Sequence, residues 1–242
     1  MLLFVPGSGC GKQAWICQTQ YFKGSEAVAL TSHPKGKPCS SVDEYVEWLR
    51  CYILQQQYED VILVGHSMGG AVAQLYGLKY GDEVKALVLI GTGARLRVLP
   101  TFLKAVEEMV SDEAAWIKYL EERHRSTVPE IRRVVIEERI QIGPAVMLND
   151  LLCCDKFDIM DRVHNIKLPT LIICGSEDEL TPVKYAHYLA SKIEAARELI
   201  VNGTGHWVQT ENPRRVNQAI ESFVAGVGSV VIHSRSQMFF RS

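Results

Sequence analysis

The sequence lacks several features that would assign it to a specialised class of protein. No apolar run approaches the roughly 20 residues that are needed to span a bilayer. The formal net charge is −2, whereas proteins that bind nucleic acids or anionic membrane surfaces carry an excess of basic residues. Internal repeats and low-complexity tracts are absent as well. We therefore expect neither a nucleic-acid partner nor a membrane partner.

The cysteine pattern and the start of the chain also exclude some classes. The seven cysteines are odd in number and form no C-x-x-C pair, which fits free thiols better than a disulfide framework or a zinc site. Residues 1–5 are apolar, but this segment is too short for a signal peptide and no basic segment precedes it. The sequence predicts a cytoplasmic protein, a monomer or a homodimer, without a metal site.

Hydrophobic residues make up 47% of the 242 residues, which is enough for one substantial core. Short apolar runs alternate with amphipathic helical stretches, and this alternation favours an α/β fold with helices on both faces of a mostly parallel sheet. We expect about six strands, at residues 2–5, 27–30, 61–64, 86–90, 171–174 and 198–201.

Between the fourth and fifth predicted strands lie 80 residues without a convincing strand, far more than a crossover connection needs. Helices are predicted there over 99–110 and 112–124, then after the capping-box pattern Thr127-Val128-Pro129-Glu130, and over 144–154. We interpret residues 96–165 as a helical cap inserted into a core formed by 1–95 and 166–225. Residues 226–242 are expected to form a loosely held tail of unknown role.

Residues 61–73 contain the most informative motif. A buried strand leads into Gly65-His66-Ser67-Met68-Gly69, a G-x-S-x-G pattern, and a helix follows to about residue 80. This spacing predicts a tight strand-to-helix turn that lifts the Ser67 hydroxyl clear of the backbone, with glycine at 65 and 69 because side chains there would collide. Ser67 is therefore the candidate nucleophile.

A serine hydroxyl needs a base to take its proton and an acid to orient that base. His206 follows the last predicted strand, at the sheet edge where ligands of parallel sheets gather, so it is the candidate base. Of the other histidines, His66 is expected to pack inside the turn. His33 and His124 are expected to be exposed, and His164, His187 and His233 lie in a connector, a helix and the tail. Three acids compete for the third role after the preceding strand: Glu177, Asp178 and Glu179.

The loop after the first strand, Pro6-Gly7-Ser8-Gly9-Cys10-Gly11-Lys12, can present backbone amides to an oxyanion. We expect the N–H groups of Ser8 and Met68 to be the two donors. A phosphate-binding P-loop is the alternative interpretation, but that pattern requires glycine where Pro6 stands and serine or threonine where Gln13 stands. The sequence therefore argues against nucleotide binding.

With these segments in place, the chain resembles the α/β-hydrolase superfamily over about residues 1–224, and within it the small cap-bearing carboxylesterases. The matching stretches are Gly65–Gly70, Gly175–Asp178 with Pro182, and Gly205-His206. The resemblance implies that Asp178 is the acid. The chain departs from the family at Pro6-Gly7, where the family usually has His-Gly. The family also commonly has a β-hairpin before the first loop strand, whereas Met1 stands almost on that strand, so we expect either that the hairpin is absent or that the chain start is truncated.

The resemblance implies a serine hydrolase that cleaves small, fairly apolar carboxylic esters through an acyl-enzyme, with no cofactor. Its partner is then a small-molecule ester. The same triad also supports thioesterases, perhydrolases and lyases, and some relatives are non-enzymatic ligand-binding signalling proteins, because the fold alone does not determine the chemistry. Most apolar residues of the predicted cap should pack it onto the core, and a minority should face the pocket and favour an apolar substrate group. The apolar residues on the predicted cap helices are Leu103, Val106, Met109, Trp116, Leu120, Met147, Leu151 and Leu152.

Overall fold

The structure is a computed structural model, and it describes residues 1–31 and 36–238. His33 therefore lies outside the described residues. Six strands form one sheet in the order β2-β1-β3-β4-β5-β6, and every adjacent pair is parallel. The strands are β1 Leu2–Val5, β2 Glu26–Ala27, β3 Val61–His66, β4 Val84–Ile90, β5 Thr170–Gly175 and β6 Ala196–Val201.

Ten α-helices connect and flank these strands in the described part of the chain. They are α1 Ile16–Tyr21, α2 Val42–Gln55, α3 Met68–Lys79, α4 Pro100–Met109, α5 Glu113–Arg123, α6 Pro129–Ile142, α7 Pro144–Lys156, α8 Val183–Lys192, α9 Val208–Glu211 and α10 Pro213–Met238. Three short 3₁₀ segments lie at Lys12–Trp15, Gly81–Glu83 and Val163–Asn165. No helix among the described residues combines the length and the apolar character that a bilayer span requires.

The sheet is buried on both faces, which explains why its central strands are apolar throughout. Every residue of β1, β3 and β5 is buried. Side chains that point to one face pack with α2, α3 and α8, and those that point to the other face pack with α9, α10 and residues 14 and 15. The predicted six-stranded parallel sheet between two helical layers is confirmed, while the expected absence of a hairpin before β1 stays a prediction.

The second predicted strand was placed wrongly. β2 is only two residues long, Glu26–Ala27, instead of spanning 27–30. Val28 donates one more backbone hydrogen bond to Phe4, of 2.9 Å, and the chain then leaves the sheet edge. Val28 and Leu30 are fully buried all the same, so their apolar character reflects packing in the core and not strand pairing.

The four helices α4 to α7 occupy the interval between β4 and β5, as predicted. They share a small core of their own, in which Val106, Trp116, Leu120 and Met147 are buried together. The Thr127 hydroxyl does not cap α6, contrary to the predicted capping box. It bonds to His124 and to Thr210 instead. The boundaries of a separate cap at 96–165 stay a prediction.

The last helix continues beyond the expected end of the folded core. α10 runs from Pro213 to Met238, so the segment 226–238 is helical, while the expectation that the tail is loosely held stays a prediction. No proline interrupts this stretch, and Val227 is buried within the hydrophobic cluster on that face of the sheet. The remaining residues, 239–242, lie outside the described part of the chain.

Candidate active site

The predicted nucleophile stands on a strained turn between β3 and α3. Ser67 has φ 53° and ψ −117°, a conformation that is rare for a residue with a side chain. Its N–H donates to Ile90 O over 2.9 Å, and the hydroxyl of Thr92 donates to its carbonyl oxygen over 2.8 Å. These bonds to β4 and to the loop after it hold the turn in place.

Both glycines of the turn are sterically required. A Cβ on Gly65 would lie 2.2 Å from the carbonyl oxygen of Gly69, and a Cβ on Gly69 would lie 2.1 Å from that of Val5. Distances this short to backbone atoms cannot be relieved by rotating a side chain. The structure therefore confirms the steric reason for glycine at positions 65 and 69 of the G-x-S-x-G motif.

The imidazole of His206 faces the carboxylate of Asp178. His206 Nδ1 lies 3.1 Å from Asp178 Oδ1 and 2.9 Å from Oδ2. Since the carboxylate can only accept, Nδ1 carries the proton and Nε2 is left with a free lone pair. His206 is only 8% exposed and Asp178 only 5%, so this pair is well shielded from water.

Further donors hold the Asp178 carboxylate. The backbone N–H groups of Leu180 and Thr181 donate to Oδ1 over 2.9 and 2.8 Å, and the Thr181 hydroxyl donates to Oδ2 over 2.8 Å. Burial acts to raise the pKa of Asp178. The attraction of His206 and these hydrogen bonds outweigh burial, so the pKa is lowered and the carboxylate stays ionised.

The other two acids of this loop are placed differently. Glu177 and Glu179 are both exposed, and among the described residues only Asp178 bonds to His206 through a carboxylate. The Thr181-Pro182 pattern predicts a helix cap followed by proline at the first helical position, but α8 begins at Val183 and the Thr181 hydroxyl bonds to Asp178. Thr181 is a supporting residue that the sequence analysis missed, since its threonine-proline pattern was assigned to a helix start.

The loop after β1 closes over the serine turn. A Cβ on Gly7 would lie 3.0 Å from Ser67 Cβ and 3.1 Å from His66 Nδ1, so a side chain there would require these neighbours to shift. Within the described part of the chain, neither Ser8 N–H nor Met68 N–H donates a hydrogen bond to a protein acceptor. Both amides are therefore available to an incoming group.

Two side chains from α6 and α7 hold this loop from the other side. Asp150 accepts a hydrogen bond of 2.9 Å from Gly9 N–H and one of 2.6 Å from the Tyr45 hydroxyl. Arg139 Nε donates to Gly9 O over 3.1 Å. The sequence analysis missed both residues. Arg139 could have been noticed, because it interrupts the apolar face that Val135 and Ile142 form on α6.

Ser67, His206 and Ser8 line one cavity of about 580 Å³. Of the apolar residues named in advance for the pocket, Met147 and Leu151 line this cavity, together with Leu96, Val98 and Phe102. Val106, Trp116 and Leu120 pack inside the helical layer. In the described part of the chain no hydrogen bond joins the Ser67 hydroxyl to His206, although catalytic contacts of unliganded sites are often longer than those of the complex.

Two other histidines surround this site, and neither is exposed. His66 packs inside the turn as expected, and its Nε2 lies 2.9 Å from His206 O. Burial and, secondarily, the neighbouring His206 lower the pKa of His66 to about 3. The expectation that His124 is exposed was wrong: it is fully buried against Trp207. Burial and then Arg139 lower the pKa of His124 to about 2.

Comparisons with known proteins identify the family of the chain. Residues 2–219 match the model of the α/β hydrolase family. The solved structure of a thermophilic esterase superposes with a TM-score of 0.80 and 32% identity, covering 94% of this chain and 90% of that one. A pimeloyl-[acyl-carrier protein] methyl ester esterase of Aromatoleum aromaticum is 24% identical over 93% of this chain and 98% of its own length.

A further relative, from Mycoplasma genitalium, carries an esterase/lipase name. It is 28% identical over 185 residues, which are 72% of this chain but only 66% of that protein. This chain thus spans slightly less than two thirds of that relative's length. The family model, in contrast, accounts for nearly all of the sheet and its flanking helices. The chain belongs to the α/β hydrolase family.

Proposed function

We propose that this protein is a serine hydrolase that cleaves small carboxylic esters through an acyl-enzyme intermediate. The observation that carries the proposal is the buried His206–Asp178 pair opening onto the same cavity as the strained Ser67 turn. In this arrangement the protonated Nδ1 leaves Nε2 as the base. A buried, ionised carboxylate then stabilises the imidazolium that forms when His206 takes a proton.

The reaction proceeds in two halves. Ser67 Oγ attacks the ester carbonyl while His206 Nε2 takes its proton, and the negative charge on the carbonyl oxygen is received by the amides of Ser8 and Met68. The alcohol leaves with the proton from His206. A water molecule then attacks the acyl-enzyme by the same route, which releases the acid and restores the serine.

The geometry of the turn supports these roles. Met68 is the first residue of α3, so its N–H has no partner inside the helix and lies at the positive end of the helix dipole. Removing one donor of this kind from a related site costs about 3 kcal/mol of transition-state stabilisation, roughly a hundredfold in rate. Among the described residues, the side chains that line the cavity are mostly apolar, which suits a carbon chain on the substrate.

The test is turnover of p-nitrophenyl acetate and butyrate by the wild type and by Ser67→Ala. Ser222→Ala, which alters an exposed serine of α10, is the matched control. We expect the first variant to lose at least about 10³-fold in kcat/KM and the control to match the wild type. Equal turnover by wild type and Ser67→Ala, or no turnover by either, contradicts the proposal. Covalent labelling by a fluorophosphonate should locate the reactive atom at Ser67.

A further inference from the structure

Arg139 is a buried cation at the wall of the candidate active-site cavity. It lies on α6 and is only 1% exposed, yet it borders the cavity that contains Ser67. Its guanidinium donates to Gly9 O over 3.1 Å, to His124 Nε2 over 2.9 Å and to Met147 Sδ over 3.4 Å. All three acceptors are uncharged, because His124 must be neutral to accept this bond.

The direct contacts of Arg139 are with neutral groups and aromatic rings. The rings of Trp207 and Trp116 lie 4.8 and 5.7 Å from the guanidinium carbon and stabilise a cation only partly. Within the described residues, Arg139 forms no ion pair with a carboxylate. The buried carboxylate of Asp150 bonds to the N–H of Gly9 and Arg139 bonds to the carbonyl oxygen of Gly9, so Asp150 approaches the same loop residue without bonding to the guanidinium. Burying such a charge without an anion is costly unless a ligand supplies one.

The remaining charges around the cavity are mostly of the same sign. Arg97, Arg123 and Lys184 line it, against Glu179 as the single acidic lining residue in the described part of the chain. Arg97 donates to a backbone carbonyl, while Arg123 and Lys184 lie over the rings of tyrosines. The side chains that line the cavity therefore carry a net positive charge, which should attract an anionic substrate.

We infer that the substrate carries a carboxylate in addition to its ester group and that Arg139 binds this carboxylate. The inference rests on the proposed ester hydrolysis. A guanidinium has five N–H groups, and three of them are used in the bonds described above, so two remain for carboxylate oxygens. Water cleaves the ester as before, and the bound product is then an acid with a second anionic group.

The position of Arg139 indicates a short distance between the two groups of the substrate. The guanidinium bonds to Gly9, the neighbour of Ser8, and it stacks on Trp207, the neighbour of His206. A carboxylate bound there lies beside both loops that surround the reacting carbonyl. Half-esters of dicarboxylic acids with a few carbons between the carbonyl groups have this shape.

The experiment compares two esters of the same acid. Monomethyl and dimethyl esters of succinic, glutaric and adipic acid differ only in whether the second carboxyl group is charged. We expect wild-type kcat/KM to favour the half-ester of at least one acid by about tenfold or more, because a site built for a polar group discriminates against analogues that lack it. In Arg139→Gln this ratio should fall by about tenfold.

The ratio of kcat/KM for the half-ester to kcat/KM for the diester separates recognition of the carboxylate from general damage to the site. Loss of the bond to Gly9 slows the hydrolysis of both esters alike and leaves this ratio unchanged. Arg133→Gln, an exposed position on the same helix, is the control and should keep the wild-type ratio. Equal rates for half-ester and diester in the wild type overturn the inference, as does an unchanged ratio in Arg139→Gln. If that variant does not fold, inhibition of p-nitrophenyl butyrate turnover by glutarate is compared with inhibition by glutaramide, in the wild type and in Arg123→Gln at the cavity wall. Stronger inhibition by glutarate supports the inference, and equal inhibition by the two compounds overturns it.

These outcomes are distinct from failure of the proposed function. A protein that hydrolyses p-nitrophenyl butyrate but is indifferent to the second carboxylate is an esterase without this specificity. A protein that hydrolyses no ester but binds glutarate and not glutaramide in a calorimeter retains the anion site and lacks the proposed reaction. A protein that does neither contradicts both.

Discussion

His206 Nδ1 lies within 3.1 Å of both carboxylate oxygens of Asp178, and the two residues come from loops that follow neighbouring parallel strands. This pairing fixes the tautomer of the imidazole and keeps Nε2 unprotonated. An amide in place of the carboxylate would also offer N–H groups to Nδ1. The imidazole would then be held in the other tautomer, with its proton on the nitrogen that must act as the base.

We therefore expect Asp178→Asn to lower kcat for p-nitrophenyl butyrate by about 10³- to 10⁴-fold with little change in the folded structure. Glu177→Gln, which alters the exposed neighbour of Asp178 that does not line the cavity, is the matched control and should stay within a few-fold of the wild type. Steady-state kinetics together with a circular dichroism spectrum check this result. Comparable losses in the two variants would contradict the assignment of Asp178.

The steric role of the turn glycines gives a second prediction. In Gly65→Ala the new Cβ would meet the Gly69 carbonyl at 2.2 Å, whereas a methyl group added to Gly81 would have no atom within 4 Å. We expect Gly65→Ala to lower the free energy of unfolding by more than about 3 kcal/mol or to prevent folding. Gly81→Ala should stay within about 0.5 kcal/mol of the wild type. Chemical denaturation of both variants measures the difference, and similar stabilities would contradict the steric argument.

The buried histidines predict how stability depends on pH. Burial lowers the pKa of His124 to about 2 and that of His66 to about 3, whereas both titrate near 6.5 in the unfolded chain. Between these values the unfolded state binds more protons than the folded state. The free energy of unfolding therefore falls as the pH drops below about 6.5, with up to about 1.4 kcal/mol per pH unit from each histidine.

Urea denaturation at pH 7.5, 6 and 5 measures this slope. His124→Gln removes one of the two groups, so the slope should become shallower by up to about 1.4 kcal/mol per pH unit. His187→Gln is the control, because His187 is exposed on α8 and should leave the slope nearly unchanged. A slope in His124→Gln equal to that of the wild type would show that residue 124 does not remain neutral in the folded state.

Two tyrosines that donate to carboxylates in different surroundings form a natural pair. The Tyr45 hydroxyl is buried and donates to Asp150 over 2.6 Å, while that of Tyr21 is exposed and donates to Glu221 over 3.1 Å. Tyr45→Phe should cost about 2 kcal/mol of unfolding free energy, because it weakens the solvation of a buried carboxylate. Tyr21→Phe should change it by less than about 0.5 kcal/mol. Thermal and chemical denaturation compare the two variants. An unchanged free energy of unfolding in Tyr45→Phe would contradict this prediction.

The sequence predicted those parts of the molecule that depend on local pattern. Apolar runs identified five of the six strands closely. The G-x-S-x-G motif located the turn at Ser67, because its two glycines are required by nearby backbone atoms and not by distant side chains. The position of His206 followed from the rule that strand ends share one edge of a parallel sheet. The same rule left three acids open after β5, and the family resemblance selected Asp178 among them. The catalytic roles of Asp178 and His206 stay a proposal.

What could not be predicted depends on contacts between distant segments. Thr181 resembles a helix cap until the fold places it against Asp178, and His124 lies in a polar stretch of sequence that packs against Trp207. The short β2 has the same cause, since Val28 and Leu30 are buried by packing in the core although the strand ends at Ala27. Propensity and periodicity carry no information about such partners.

The contacts of Gly9 couple the loop after β1 to the helices α6 and α7. Its N–H is held by a residue of α7 and its carbonyl by a residue of α6, so the loop after β1 and these helices form a matched set. A chimera that receives the helices of a relative without the corresponding loop would lose both contacts at once. Specificity in this protein should therefore be redesigned by exchanging loop and helices together, and natural variation in one should be accompanied by variation in the other.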